Sequence, residues 1–164
     1  MRPLLLLSIL VSAGLLQGEE PAKKPCVFCG IAAGTREASF VYRDDTVMAI
    51  LTIGPVNPGH TLVIPVRHAD GVLDLPPDTA KAMTALAQRV ARAIQSSEFK
   101  ADGIQLLMNT GAASGQTVFH AHLHVIPKFP KDTHDGPHPD RPKPPRAELD
   151  AVAAKLREAL AKVD

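Results

Sequence analysis

The chain has 164 residues, a formal net charge of +1, few aromatic residues and no tryptophan. That length suits one domain with a real core and is short for two. The weak charge excludes a large basic field for nucleic acid, and the scarcity of aromatic rings excludes stacking platforms for single strands.

Residues 1–20 read as a signal peptide, with Arg2 ahead of an almost unbroken apolar run from Leu4 to Leu16 and a polar, turn-like Gln17–Pro21. The run is short for a bilayer span and suits a secretory leader. The reading implies export, with no stable membrane span after cleavage; the alternative is an uncleaved membrane anchor. Cys26 and Cys29 follow in Cys-Val-Phe-Cys. Two intervening residues suit two ligands of one zinc ion, and an exported protein could instead oxidise the pair.

Phe28–Ala33 reads as a short helical turn closed by Gly34. Phe40–Arg43 and Val47–Thr52 are β-rich runs around Asp44-Asp45, a hairpin pattern. The turn cluster Gly54–Gly59 precedes a strand over His60–Val66. The clearest helix runs from Pro77 to Ser97, capped by Asp78 or Thr79, with Ala80, Met83, Leu86, Ala87, Val90, Ala93 and Ile94 at helical spacing. Gly103–Asn109 reads as a strand, followed by a loop of small residues over Thr110–Gly115. The stretch from 131 to about 146 is rich in proline, histidine and aspartate; His134 and His138 there read as part of a solvated loop. Arg146–Lys162 is a final amphipathic helix. Strands joined by short turns, with helices to cover them, predict the α+β class. The division expected is a leader over 1–20, one domain over 21–130, and a Pro/His-rich loop with a C-terminal helix over 131–164.

The most informative segment is Phe119-His120-Ala121-His122-Leu123-His124-Val125. On a strand, alternate side chains share a face. Three imidazoles then line one face, directly after a Gly-Ser loop, and such polar clusters mark function. His122 at the centre can attack phosphorus through an unprotonated ring nitrogen, giving a phosphoramidate that water then opens. His124, the Gln116 amide, the Thr117 hydroxyl and backbone N–H groups near Ser114-Gly115 can neutralise the phosphoryl oxygens. Gly111 and Gly115 allow close backbone approach. Asn109 can orient the phosphate or the loop. A trio that only binds metal is a second reading.

Gly115–Pro127 resembles the histidine triad (HIT) family signature. Cys26-Val-Phe-Cys29-Gly-Ile31, the hairpin Tyr42–Asp45, the run Asn57–Pro65 and Asn109 fall in that family's order, so the resemblance covers about Pro25 to Lys128. It implies a five-stranded antiparallel sheet with one long central helix and a C-terminal helix, a homodimer, and nucleotidyl hydrolase or transferase chemistry at an α-phosphate. Nucleoside phosphoramidates and dinucleoside polyphosphates are the implied substrates, with His122 as nucleophile, His124 and His60 supporting it, and Asn109, Ser114, Gly115, Gln116 and Thr117 around the phosphate. Val27, Phe28, Ile31, Ile50 and Ile53 would wall the base pocket. In the family's C-x-x-C branch a structural zinc is held by residues that here are Cys26, Cys29, His68 and His120. A transferase, or a non-catalytic zinc- and nucleotide-binding module, are the alternatives. One departure is Thr52, where many members carry an acid that grips the ribose; a hydroxyl cannot accept two bonds bidentately as a carboxylate can.

Overall fold

A computed structural model describes residues 25–132 and 143–163. Five strands form one antiparallel sheet: β1 (Phe40–Arg43), β2 (Val47–Leu51), β3 (Thr61–Pro65), β4 (Gly103–Leu107) and β5 (Leu123–Lys128), in the order β1-β2-β3-β5-β4. Three helices cover it: α1 (Val27–Ala32), α2 (Pro77–Ser96) and α3 (Arg146–Leu160). This is the expected α+β architecture, with the long helix and the C-terminal helix in place.

Local chemistry explains the elements. Asp44 Oδ1 accepts from the N–H groups of Thr46 and Val47, both at 2.7 Å, and so turns β1 into β2. Helix α2 starts with Pro77 in its first turn, where a missing N–H costs nothing. No side chain caps it. Asp78, expected as a cap, lies inside the first turn and pairs with Lys81 at 2.9 Å.

Both faces of the central strands are buried, which is why β2 reads as a continuous apolar run. Val47, Ala49, Leu51, Val63 and Val125 face the apolar stripes of α2 and α3, including Met83, Leu86, Val90, Ile94 and Leu156. Met48, Ile50, Leu62 and Ile64 turn to the opposite face, where Phe28 and Ile31 of α1 close over them. Burying each such side chain is worth about 1.5–3 kcal/mol, so this smaller cluster fixes α1 firmly against the sheet. Helix α3 is further tied to the β1 edge by polar contacts: Ser39 donates to Asp150 at 2.6 Å, and Arg146 donates to Ser39 at 3.0 Å.

The signal peptide finds no support: residues 1–20 lie outside the described residues, and among those described no helix is long and apolar enough to cross a membrane. The homodimer finds no support either. His134 and His138 lie outside the described residues.

Candidate active site and metal centre

The histidine row is only partly a strand: the chain bends at Val118–His120, and β5 begins at Leu123. His120 and His122 precede it, because the Ala121 N–H turns aside to the Ala69 carbonyl at 2.7 Å rather than joining a ladder. The imidazoles are also buried: His120 is fully covered, and His122 and His124 are each 6% exposed. Buried polar groups need partners, and here those partners assign every ring proton.

His122 Nδ1 lies 2.7 Å from the His120 carbonyl oxygen. A carbonyl only accepts, so Nδ1 carries the proton and Nε2 keeps its lone pair. The ring packs edge-on to Phe28, with centroids 5.3 Å apart. Burial lowers the His122 pKa, although the bond to the His120 carbonyl opposes this. The ring is therefore neutral at neutral pH, with one nitrogen free to attack.

His124 is oriented by a chain of two bonds. The Val56 N–H donates to His60 Nδ1 at 3.1 Å, which leaves the His60 proton on Nε2. That Nε2–H points at His124 Nδ1, 2.9 Å away. His124 must accept there, so its own proton sits on Nε2. Burial first, and the adjacent His122 second, lower the His124 pKa to about 4. His124 is thus a neutral donor beside the nucleophile, their ring centroids 5.0 Å apart.

The loop before the triad is braced from inside. Gly111 takes φ +84° and ψ 156°, a conformation open essentially to glycine alone. Its N–H donates to Gln116 Oε1 at 2.7 Å, and Gln116 Nε2 donates to the carbonyls of Asp70 (2.6 Å) and Val118 (3.0 Å). Both ends of the Gln116 amide are occupied, so this residue builds the loop instead of offering its amide to a ligand. Ser114 donates to the carbonyls of Thr110 and Gly111, both at 2.8 Å. Ser114, Gly115 and Thr117 are exposed. The Asn109 amide stands 3.5 Å from where a Cβ on Gly115 would sit.

Cys26, Cys29, His68 and His120 come together as the resemblance implies, their ligand atoms all within 4.8 Å of one another. His120 Nδ1 lies 3.3 Å from Cys26 Sγ, 3.6 Å from Cys29 Sγ and 3.2 Å from His68 Nδ1. Tautomers settle what this means. His120 Nε2 donates to the Pro65 carbonyl at 2.9 Å, and His68 Nε2 donates to Asp70 Oδ1 at 2.8 Å. Both Nδ1 atoms therefore present lone pairs to each other and to two sulfurs. Two thiol protons can bridge this set, Cys26 to His120 and Cys29 to His68, each at 3.3 Å; a cation bound by two thiolates and two Nδ1 lone pairs satisfies all four groups more strongly. Ligand–ligand edges of a tetrahedral zinc site are about 3.3–3.8 Å, from bonds of about 2.0–2.3 Å, and the four contacts of 3.2–3.6 Å lie at or close to that range. Burial, then the neighbouring Cys26, pushes the Cys29 thiol up.

Of the residues expected around a base, Phe28, Ile31 and Ile50 are buried in one cluster and Val27 packs on it. Ile53 does not join them; it is 58% exposed, beyond the end of β2. Thr52 directs Oγ1 to its own turn, accepting from the Gly54 N–H at 3.4 Å. The sequence reading missed Asp70. Its place two residues after a candidate ligand histidine was the available signal, since a metal-bound imidazole needs an acceptor for its other N–H.

The HIT domain family model matches residues 33–131. The chain belongs to the HIT family. It is 48% identical over 103 residues to an uncharacterized HIT-like protein of Mycobacterium tuberculosis, covering 63% of this chain and 71% of that one. It is 37% identical over 107 residues to the adenylylsulfatase HINT3 of Arabidopsis thaliana, covering 65% of this chain and 54% of that protein. Among solved structures, a zinc-bound histidine triad family protein from Mycobacterium smegmatis superimposes with a TM-score of 0.75 and 42% identity, over 85% of this chain and 96% of that one. The resemblance read from the sequence is thus confirmed at the level of family and fold.

Proposed function

We propose that this HIT protein is a nucleotide hydrolase that cleaves at the α-phosphorus through a covalent nucleotidyl intermediate on His122. The observation that carries the proposal is the fixed tautomer of His122, with Nδ1–H held by the His120 carbonyl and Nε2 left as the nucleophile. Nε2 attacks phosphorus, and the bond from phosphorus to the leaving group breaks. The leaving group keeps the electron pair and takes a proton from solvent. The phosphorylated ring carries positive charge, which the Nδ1–H bond to the carbonyl stabilises. Water then attacks phosphorus, the P–Nε2 bond breaks, its electron pair returns to the ring, and the water gives one proton to solvent and keeps the other on the phosphate. The His124 Nε2–H, held by His60, supplies a neutral donor to the phosphoryl oxygens. The N–H groups of Ser114, Gly115 and Gln116 are taken by the Gly111 and Ala112 carbonyls, so the loop supplies shape here and not these donors.

Cys26, Cys29, His68 and His120 would hold a structural zinc. All four positions would be filled by protein, so zinc would cross-link α1 to the triad segment and leave none open to substrate.

Nucleoside phosphoramidates and dinucleoside polyphosphates are the substrates to test first, with adenylyl sulfate added because a relative bears the name adenylylsulfatase. Release of nucleoside monophosphate from at least one, abolished by His122→Ala, is the expected result. Turnover by none of them, or turnover that survives loss of His122, refutes the proposal.

A further inference from the structure

His120 belongs to two constructions at once. Its ring nitrogen Nδ1 faces Cys26, Cys29 and His68, while its backbone carbonyl receives the Nδ1–H of His122 at 2.7 Å. The neighbouring segment is doubly engaged in the same way. His68 faces the cluster, the Ala69 carbonyl holds the Ala121 N–H, and the Asp70 carbonyl holds Gln116, which in turn holds Gly111. Gly71 fits so tightly that a Cβ there would stand 2.6 Å from Thr110 Cγ2. Two short pieces of chain, 68–71 and 120–122, therefore join the metal ligands to the nucleophile and to the loop before it.

We infer that metal occupancy of the Cys26/Cys29/His68/His120 cluster sets the geometry of the nucleophile, with His120 as the positioning residue that transmits it. This rests on the nucleotidyl-hydrolase reading only in calling His122 a nucleophile; the coupling is a property of the folded chain. A cation that pins the His120 ring fixes its carbonyl, and the carbonyl fixes the His122 tautomer. Without the cation the His120 ring keeps its Pro65 bond, its edge contact with Phe28 and a weak thiol contact to Cys26, a looser hold than a metal bond gives, and the His122 ring samples both tautomers more freely. His60 and His124 serve as the reference, because the bonds that orient them run from the Val56 N–H through His60 to His124.

Linkage makes the coupling reciprocal: removing the His122 donor must weaken the metal. The full chain and zinc alone suffice to test this. Zinc affinity is measured by competition with a chromophoric chelator for the native protein, His122→Phe and His124→Phe. Phenylalanine keeps the ring volume beside Phe28 and removes the N–H. The expected result is a roughly fivefold loss of zinc affinity in His122→Phe and no change in His124→Phe. Nitrogen-15 spectra of the histidine side chains are then recorded with and without zinc. A single Nδ1–H tautomer of His122 should appear with zinc and an averaged one without it, while the His60–His124 pattern persists as a control for folding. Equal zinc affinity in the two variants overturns the inference, as does an unchanged His122 tautomer in zinc-free, folded protein. Should the zinc-free protein unfold, the affinity comparison decides alone. No nucleotide is present, so the outcome is independent of catalysis. An active protein with uncoupled zinc defeats this inference only, and an inactive protein with coupled zinc defeats only the proposed function.

Discussion

The Nε2 of His60 lies 2.9 Å from Nδ1 of His124, inside the protein. Because the Val56 N–H occupies the other nitrogen of His60, this contact has one direction: His60 donates and His124 accepts. A residue 64 positions away thus determines which atom of His124 faces a substrate. His60→Phe should keep the fold and lose that control. The account expects kcat to fall by about 10²-fold with KM nearly unchanged, the size of effect of removing one aligned donor. Steady-state kinetics on a cleaved nucleotide check it.

The depressed pKa of His124 gives a prediction with a definite sign. Folding lowers it from 6.5 to about 4, chiefly through burial. A folded state that resists protonation loses stability as acid is added. This contribution is complete above pH 6.5, declines as pH falls from there toward 4, and is gone below. Its full size is about 3 kcal/mol, at 1.36 kcal/mol per pKa unit. Chemical denaturation across that range should show native stability falling more steeply than in His124→Phe. An NMR titration of His124 with a midpoint near 6.5 would contradict the account.

Gly111 sits where an L-residue is strained, so Gly111→Ala should cost about 1–3 kcal/mol of stability. It also displaces the N–H that Gln116 receives, and kcat/KM should drop accordingly. A stability loss without any kinetic effect would show that the loop does not shape the site.

Chelation of the proposed zinc should lower the melting temperature by roughly 10 °C, because α1 loses its tie to the triad segment. Readdition of zinc should restore it. A melting temperature indifferent to chelator would remove zinc from the account.

Much of this was legible in the residues because the determining physics is local. The alternation of His120, His122 and His124 with apolar residues fixed a shared face whether or not a ladder begins there. The helical spacing of Met83, Leu86, Val90 and Ile94 located α2 to within a residue of its end. What escaped was set by distant backbone. The amide of Gln116 looks like a ligand donor in sequence, and only the fold brings the Asp70 carbonyl to it. Ile53 looks like a wall residue, but β2 ends two positions earlier and leaves it in solvent. The cap of α2 went to a proline turn because Pro77 stands ahead of both polar candidates.

The most direct test of the central claim is to catch His122 in the act. Protein is mixed with a nucleoside phosphoramidate, quenched at high pH within the first turnover, digested and weighed. The account predicts a nucleoside monophosphate attached to the peptide carrying His122, localised to that ring and missing from His122→Ala. An adduct on any other residue, or monophosphate produced in full bursts with His122 never labelled, would contradict it.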